Sequence, residues 1–349
     1  MGRIVLHIGT HKTGTTSIQR FAAQHRARLL EAGIYYPCYS EIGRPAHYAH
    51  LDVAKALMGT PTRLGADGLI AFAAHVRAKA KDHPVTLISA EPFWRGVDAQ
   101  ARPGDRASYW LARKEFIARV AETFPPDETE ILAIFRGQAD FAESLFQEDV
   151  KVNRWRRGMQ KFIAHRWSYF QYGAQVDAWA SVFPRLTALS FSDLLAEGDL
   201  VAALLAHLQG DPSQLPTAER FNESIQSDFV TALRMLNRSD LPKPALRKTR
   251  DRLLDLQAAG EVKAWPKRSL WQSAEVRAAF DAGFTSENDR LTAQYGASGA
   301  QPIRSRAFSQ DVKYGERMSE VALTFLLKTL VNAAPEWTAS QKKARSQTQ

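Results

Sequence analysis

The chain has 349 residues, 45% of them hydrophobic and 24% charged, which is typical of a folded globular protein with a sizeable core. Its formal net charge of +9 favours anionic partners, and nucleic acid, acidic lipid, nucleotide phosphates and sulfated glycans all stay open on that basis. The single cysteine, Cys38, excludes an intramolecular disulfide, and the sequence shows neither a signal peptide nor an apolar run of about 18 residues, so we expect a cytoplasmic protein without a transmembrane segment.

Four short apolar runs predict buried β-strands, and a helical pattern follows each of them. The runs are Ile4–Ile8, Val85–Ser89, Ile131–Phe135 and Leu186–Phe191. Such alternation predicts an α/β fold with a parallel sheet flanked by helices. Ligands of these sheets bind beyond the carboxyl ends of the strands, so the residues that follow each run are candidates for function.

The first run leads into a loop, Gly9–Gln19, that has the composition of an anion-binding turn. Glycines at 9 and 14 allow a tight turn whose N–H groups converge at a helix N-terminus, and nearby hydroxyls add donors. The spacing resembles that of a nucleoside-triphosphatase loop, but Thr15 stands where that loop has its lysine. Lys12 lies inside the turn instead, where it would meet a single bridging oxygen. The alternative is a Gly/Thr turn with no ligand.

The same loop resembles the 5′-phosphosulfate-binding loop of sulfotransferases, particularly the bacterial members of that superfamily. The resemblance implies a P-loop-like fold, 3′-phosphoadenylyl sulfate (PAPS) as donor and 3′,5′-adenosine diphosphate (PAP) as product. It also implies that the phosphosulfate is held by Lys12, Thr13, Gly14, Thr15, Thr16 and Ser17, with Lys12 stabilising the leaving group. His11 is expected to point at the same anion, whereas His7, inside the strand, is expected to be buried.

The second strand ends in Ser89-Ala90-Glu91-Pro92, which places a carboxylate at the predicted binding edge. A partly desolvated Glu91 would suit a general base that takes the proton of an acceptor hydroxyl. It also resembles the strand-end glutamate that carbohydrate sulfotransferases use as base. Two alternatives stay open, namely orientation of a magnesium ion in a nucleotidase and simple turn chemistry ahead of Pro92.

The third strand runs into Arg136, and Ser144 follows eight residues later. This spacing is similar to the 3′-phosphate-binding element of sulfotransferases, which implies that Arg136 and Ser144 hold the 3′-phosphate of the donor. Many relatives have a proline two residues after the arginine, where this chain has Gln138. The alternative is an arginine that caps a core strand and a serine on a solvent face.

Weaker signals lie elsewhere in the chain. His47 and His50 bracket a Tyr-Ala step, and one of them is a candidate for substrate contact. No metal is expected there, because neither a cysteine nor a third histidine is near. The basic run 151–157 contains a tryptophan and could follow a nucleic-acid backbone or an acidic glycan, although a solvated surface is the preferred interpretation.

Three segments are predicted along the chain: an α/β core over residues 1–215, a helical C-terminal extension over 216–339 and a disordered tail over 340–349. The expected function is sulfuryl transfer from PAPS to a hydroxyl or amine of a small-molecule or glycan acceptor, without metal and without nucleic acid. A P-loop kinase or nucleotidase and a non-enzymatic, basic nucleic-acid-binding module are the two alternatives.

Overall fold

The computed structural model describes residues 2–101, 104–211, 215–216, 225–257, 262, 265, 268–308 and 311–329. Its helices, in chain order, are α1 (Thr15–Gln24), α2 (Arg26–Glu31), α3 (Leu51–Leu57), α4 (Gly65–Lys79), α5 (Pro92–Arg95), α6 (Arg106–Thr123), α7 (Gln138–Lys151), α8 (Met159–His165), α9 (Tyr172–Ala180), α10 (Phe191–Ala196), α11 (Leu200–His207), α12 (Ser227–Arg238), α13 (Lys243–Gln257), α14 (Ala274–Ala282), α15 (Thr285–Tyr295) and α16 (residues 320–329). Two 3₁₀ helices cover Tyr39–Ile42 and Trp167–Tyr169.

Five strands form one sheet in which every hydrogen-bonded pair is parallel. They are β1 (Arg3–His7), β2 (Ile34–Tyr35), β3 (Val85–Ser89), β4 (Thr129–Phe135) and β5 (Leu186–Ser190), in the spatial order β2-β3-β1-β4-β5. All five residues of β3 are buried, as expected for a strand covered on both faces. The parallel sheet and its flanking helices confirm the predicted α/β class.

The sheet register brings the ends of the central strands to one edge. His7 at the end of β1 pairs with Ser89 at the end of β3, and on the other side it pairs with Leu132 of β4. The strand β4 continues to Phe135 and there pairs with Ser190, the last residue of β5. The loops after β1, β3, β4 and β5 therefore all leave the carboxyl edge of the sheet.

Two local details differ from the sequence-based expectation. The helical pattern that follows the first strand is two helices, α1 and α2, which meet at His25; the apolar part of the buried face of α1 is formed by Ile18, Phe21 and Ala22. The two-residue strand β2 was not predicted, because Ile34–Tyr35 is too short to show an alternating pattern.

The chain divides into two compact units that interleave along the sequence. The first comprises Met1–Ala142, His165–Glu223 and Ala278–Arg306 and contains the five-stranded sheet. The second comprises Glu143–Ala164, Ser224–Arg277 and Ala307–Gln349. The segment boundary predicted near residue 215 stays a prediction. The tail predicted over residues 340–349 lies outside the described residues.

The second unit has its own aromatic and polar contacts. Phe229 stacks on Trp265, with ring centroids 5.8 Å apart, and Trp265 meets Phe325 edge-on. Two short strands, β6 (Arg268–Ser269) and β7 (Lys313–Tyr314), pair in parallel.

Over the described residues, no helix combines the length and the hydropathy that crossing a bilayer would take.

Candidate functional site

The loop after β1, residues 8–14, is held against β4 by hydrogen bonds. The Ile8 amide donates to the Leu132 carbonyl at 2.9 Å, and the Thr10 amide donates to the Ile134 carbonyl at 3.2 Å. The fully buried Thr10 hydroxyl donates to the same Ile134 oxygen at 3.0 Å. The loop is thereby fixed at the centre of the carboxyl edge of the sheet.

Two residues with left-handed backbone turn this loop into α1. The φ angles are 68° at Lys12 and 73° at Gly14. A Cβ atom at Gly14 would lie 2.2 Å from Cδ2 of Leu200, so both conformation and space require glycine there. Gly14 is the N-cap residue of α1, no described side chain caps this end, and the first turn has no acidic residue. The amide groups and the dipole at this helix end favour an anion.

The hydroxyls of the loop have different environments. Thr13 is buried, and its hydroxyl donates to the Thr10 carbonyl at 2.7 Å. That proton is therefore used within the loop, and an anion would meet Thr13 through its backbone amide. Thr15 and Ser17 are buried at the start of α1, whereas Lys12 and Thr16 are partly exposed.

His7 lies beneath the loop and is buried, as its place in the strand predicts. Its Nδ1 atom is 2.9 Å from the Ser89 hydroxyl oxygen, and burial lowers the pKa of the ring to about 4. A Cβ atom at Gly9 would lie 2.8 Å from the His7 Nε2 atom. Glycine at position 9 thus lets the loop pass over the histidine.

His11 lies in a positively charged environment. Its Nε2 atom is buried and has no hydrogen-bond partner among the described residues. Burial lowers the pKa of His11 well below its usual value, and the charges of Arg95, Lys12 and Arg166 lower it further. The ring is therefore neutral, and three cations lie close to the mouth of the loop.

A glutamine of helix α1 forms hydrogen bonds with both Ser89 and Glu91. Gln19 of α1 donates from Nε2 to the Ser89 carbonyl and hydroxyl oxygens, both at 3.2 Å, and to Glu91 Oε2 at 3.4 Å. Burial raises the pKa of Glu91, although the Gln19 hydrogen bond and the Arg95 charge act in the opposite direction. The carboxylate thus has the desolvated environment that makes it more basic.

Arg95 and Arg166 were not singled out from the sequence. Arg95 ends α5, four residues after Glu91, and its Nη1 group donates to the Tyr169 hydroxyl. Glu91 was selected because it follows the carboxyl end of a predicted strand, and the same reasoning could have included Arg95. Arg166 has no local signal of this kind, because it reaches the site through tertiary packing.

Arg113 of α6 fixes the short helix α5 through hydrogen bonds to its backbone carbonyls. This fully buried arginine donates at 2.7 Å to the carbonyl oxygens of Phe93, Trp94 and Gly96, and its Nε group donates to Gln175 Oε1 at the same distance. Burial lowers the pKa of Arg113 to about 10, which leaves it charged at neutral pH. The orientation of Glu91 and Arg95, at the two ends of α5, depends on these bonds.

Arg136 lies directly after β4, as predicted, and shares a carboxylate with a second arginine. Its Nε atom is 4.0 Å from Asp140 Oδ2, and the Arg306 Nε group is 3.2 Å from the same oxygen. The Arg136 guanidinium lies 6.0 Å from the centroid of the Phe191 ring. Its carbonyl accepts a hydrogen bond from the Tyr172 hydroxyl at 2.9 Å.

The N-terminus of α7 is capped by residues from far along the chain. The Ala139 amide donates to Asp281 Oδ1 and to Ser305 Oγ, each at 3.1 Å. The Gln138 side chain forms two hydrogen bonds with Asn288, so the departure from proline at this position has a structural role. Ser144 lies further along α7 and is partly exposed.

The two candidate substrate histidines have different surroundings. His50 is buried; its Nδ1 atom accepts from the Ser89 amide at 3.0 Å and its Nε2 group donates to the Pro37 carbonyl at 2.9 Å. Both ring nitrogens of His50 thus bond to backbone, and burial lowers its pKa to about 4, so the neutral ring serves to connect the segments around it. His47 is partly exposed and stacks on Tyr48.

Within the described ranges, no group of three or more histidine, cysteine, aspartate or glutamate side chains converges as metal ligands would.

Comparison with known proteins finds similarity among solved structures. No protein-family model and no curated protein matches the chain. The crystal structure of a sulfotransferase from Alicyclobacillus acidocaldarius is similar to it, with 18% sequence identity and a TM-score of 0.38. The match covers 71% of this chain and 99% of that one. A functional assignment therefore depends on the residues of the site.

Proposed function

We propose that this chain is a sulfotransferase that moves the sulfuryl group of PAPS to a hydroxyl or amine of a carbohydrate or related small molecule. The observation that carries the proposal is the amide end of α1, which follows the left-handed residues Lys12 and Gly14 and which no described side chain caps. Lys12 lies inside this turn, and Thr15 occupies the position of the nucleoside-triphosphatase lysine. This arrangement suits one sulfated phosphate better than a triphosphate chain.

The residues present fit the anionic groups of such a donor. The amides from Thr13 onwards and the hydroxyls of Thr15, Thr16 and Ser17 would hold the 5′-phosphosulfate. The neutral His11 ring belongs to the same loop, and its buried Nε2 atom has no hydrogen-bond partner among the described residues. Arg136 follows β4, next to β1 in the sheet, and would hold the 3′-phosphate.

Transfer itself needs a base and a cation, and both are available at this edge. In the proposed step the acceptor oxygen attacks sulfur, the bond between sulfur and the bridging phosphate oxygen breaks, and Glu91 takes the acceptor proton. Lys12 meets the negative charge that develops on the departing phosphate oxygen. No metal ion is part of this proposal.

The test is turnover of PAPS that carries a radiolabelled sulfuryl group, with a panel of hydroxyl compounds and with water as the acceptor. We expect label transfer or release of sulfate from the wild-type protein. Lys12→Met should reduce the rate far more than PAP affinity, because the lysine acts most strongly in the transition state. The exposed Lys114 of α6 supplies the matched control, Lys114→Met, which should behave as wild type.

Two results would count against the proposal. A Lys12→Met protein with the wild-type rate at saturating donor would remove Lys12 from the reaction. Magnesium-dependent turnover of ATP without turnover of PAPS would assign the site to a kinase or nucleotidase instead.

A further inference from the structure

A pair of arginines shares one tyrosine ring beside the loop. The Arg95 guanidinium carbon lies 5.1 Å from the Tyr169 ring centroid, and that of Arg166 lies 5.4 Å from the same centroid. Arg95 also donates from Nη1 to the Tyr169 hydroxyl. All three side chains are partly exposed, so the cluster borders solvent.

The charge of Arg95 is matched only in part by the protein. Its hydrogen-bond partner is a neutral hydroxyl, and over the described residues no carboxylate lies within ion-pair distance of it. Arginine has five N–H donors in a planar fork, which suits carboxylate and sulfate oxygens. Donors of Arg95 thus remain for an anionic group from outside the protein.

The electrostatic surroundings of His11 place this cluster next to the reacting groups. Arg95 and Arg166 both lower the pKa of the His11 ring, and Lys12 does so as well. Arg95 also acts on Glu91, which lies four residues before it at the other end of α5. The cluster therefore adjoins both the loop and the proposed base.

The order of the strands separates Arg95 from the proposed 3′-phosphate site after β4. The sheet order places β3 and β4 on opposite sides of β1. The proposed donor ligands follow β1 and β4, whereas Glu91 and Arg95 follow β3. An anion bound by Arg95 would thus lie on the side of the base, where the acceptor has to enter.

We propose that Arg95, Arg166 and Tyr169 bind an anionic group, a carboxylate or a sulfate, on the acceptor. The acceptor class is thereby narrowed to acidic hydroxyl or amine compounds, such as acidic saccharides. This inference rests on the proposed function, because only a transferase has an acceptor. The anion site itself can be tested without any turnover.

The test is calorimetric titration of the PAP-saturated protein with sodium sulfate and with methyl glucuronide, at constant ionic strength. We expect both anions to bind and the uncharged methyl glucoside to bind at least about tenfold more weakly, since a hydrogen bond to a charged group is lost. Arg95→Gln and Arg166→Gln should each weaken anion binding by about tenfold or more and leave PAP affinity unchanged. Arg77→Gln is the matched control, because Arg77 pairs with Glu128 on the exposed surface.

The variants distinguish the possible sources of sulfate binding. If Lys12→Met abolishes sulfate binding and the two arginine variants do not, the ion occupies the sulfuryl position of the donor and the inference is wrong. Equal affinity for the glucuronide and the glucoside, or no anion binding at all, would also overturn it. If PAP does not bind but sulfate still binds through Arg95 and Arg166, the donor assignment fails while the anion site stands.

Discussion

Among single residues, Glu91 has the environment that a general base requires. It lies two residues after the end of β3, receives one hydrogen bond from Gln19, and has its pKa raised by burial. A carboxylate with a raised pKa is a stronger base than an exposed one, provided that the pH is high enough to ionise it.

Glu91→Gln should keep the fold and PAP binding but lower the transfer rate by about 10²–10⁴, the usual contribution of a positioned base. The wild-type rate should rise with pH as Glu91 loses its proton, and the variant should lack this rise. Glu115→Gln on the exposed face of α6 is the control. Full activity in a folded Glu91→Gln protein would assign Glu91 to the turn before Pro92.

The same substitution has an effect on stability whose sign follows from the pKa. Because burial raises the pKa of Glu91 above 4.5, the folded state holds this proton to a higher pH than the unfolded state does. The contribution of Glu91 to stability therefore falls as pH rises from 4.5 through the raised value. Relative to wild type, Glu91→Gln should gain stability over that range, as measured by denaturant unfolding at several pH values.

Part of the site could be predicted from single residues, and part could not. Lys12, Glu91 and Arg136 lie within four residues after apolar runs, so a search of the residues that follow each strand selects them as candidates. Arg166 reaches the loop by tertiary packing and leaves no local pattern. His50 was selected as a candidate for substrate contact, but nothing in its spacing along the sequence reveals that both ring nitrogens bond to backbone.

At the level of elements, the short helix α5 depends on an arginine from α6. A four-residue helix has almost no stability of its own, and Arg113 binds three of the carbonyls at its end. The chain thus uses one buried guanidinium to place both Glu91 and Arg95.

Arg113→Met should lower the free energy of unfolding by at least about 3 kcal/mol, because three buried carbonyls lose their donor. Lys114→Met, one residue along and exposed, should change it by less than about 0.5 kcal/mol. Urea unfolding measures both. An Arg113→Met protein as stable as wild type would mean that α5 finds other hydrogen-bond donors.

The strands were the most predictable elements, and the pairing of distant segments was the least. Four of the five strands in the main sheet appear as apolar runs, since a strand buried on both faces has no alternation to obscure it. Residues 278–306 belong to the sheet unit through contacts such as Asn288 with Gln138, which are 150 positions apart. No composition change in the sequence marks such a contact.

For the whole molecule, buried neutral histidines should govern the response to acid. His7 and His50 have pKa values lowered from 6.5 to about 4, and His11 is lowered as well. The unfolded chain binds these protons at higher pH than the folded chain, so their contribution is present above pH 6.5 and is lost as the pH falls towards 4.

We therefore expect stability to decrease between pH 6.5 and 4, by about 3 kcal/mol each for His7 and His50. His50→Gln should be less stable at neutral pH and should show a shallower dependence on pH. His83→Gln, at a partly exposed position, is the control. A pH dependence that His50→Gln leaves unchanged would contradict this account of acid sensitivity.

The central claim, a donor held by two separate phosphate elements, is tested most directly by nucleotide titration. Isothermal calorimetry should show that PAP binds about 10- to 150-fold more tightly than adenosine 5′-monophosphate, since charge-assisted hydrogen bonds contribute about 1.5–3 kcal/mol. Arg136→Ala should remove this difference, and Arg185→Ala, at an exposed position, should retain it. Equal affinity of the wild-type protein for the two nucleotides would contradict the account.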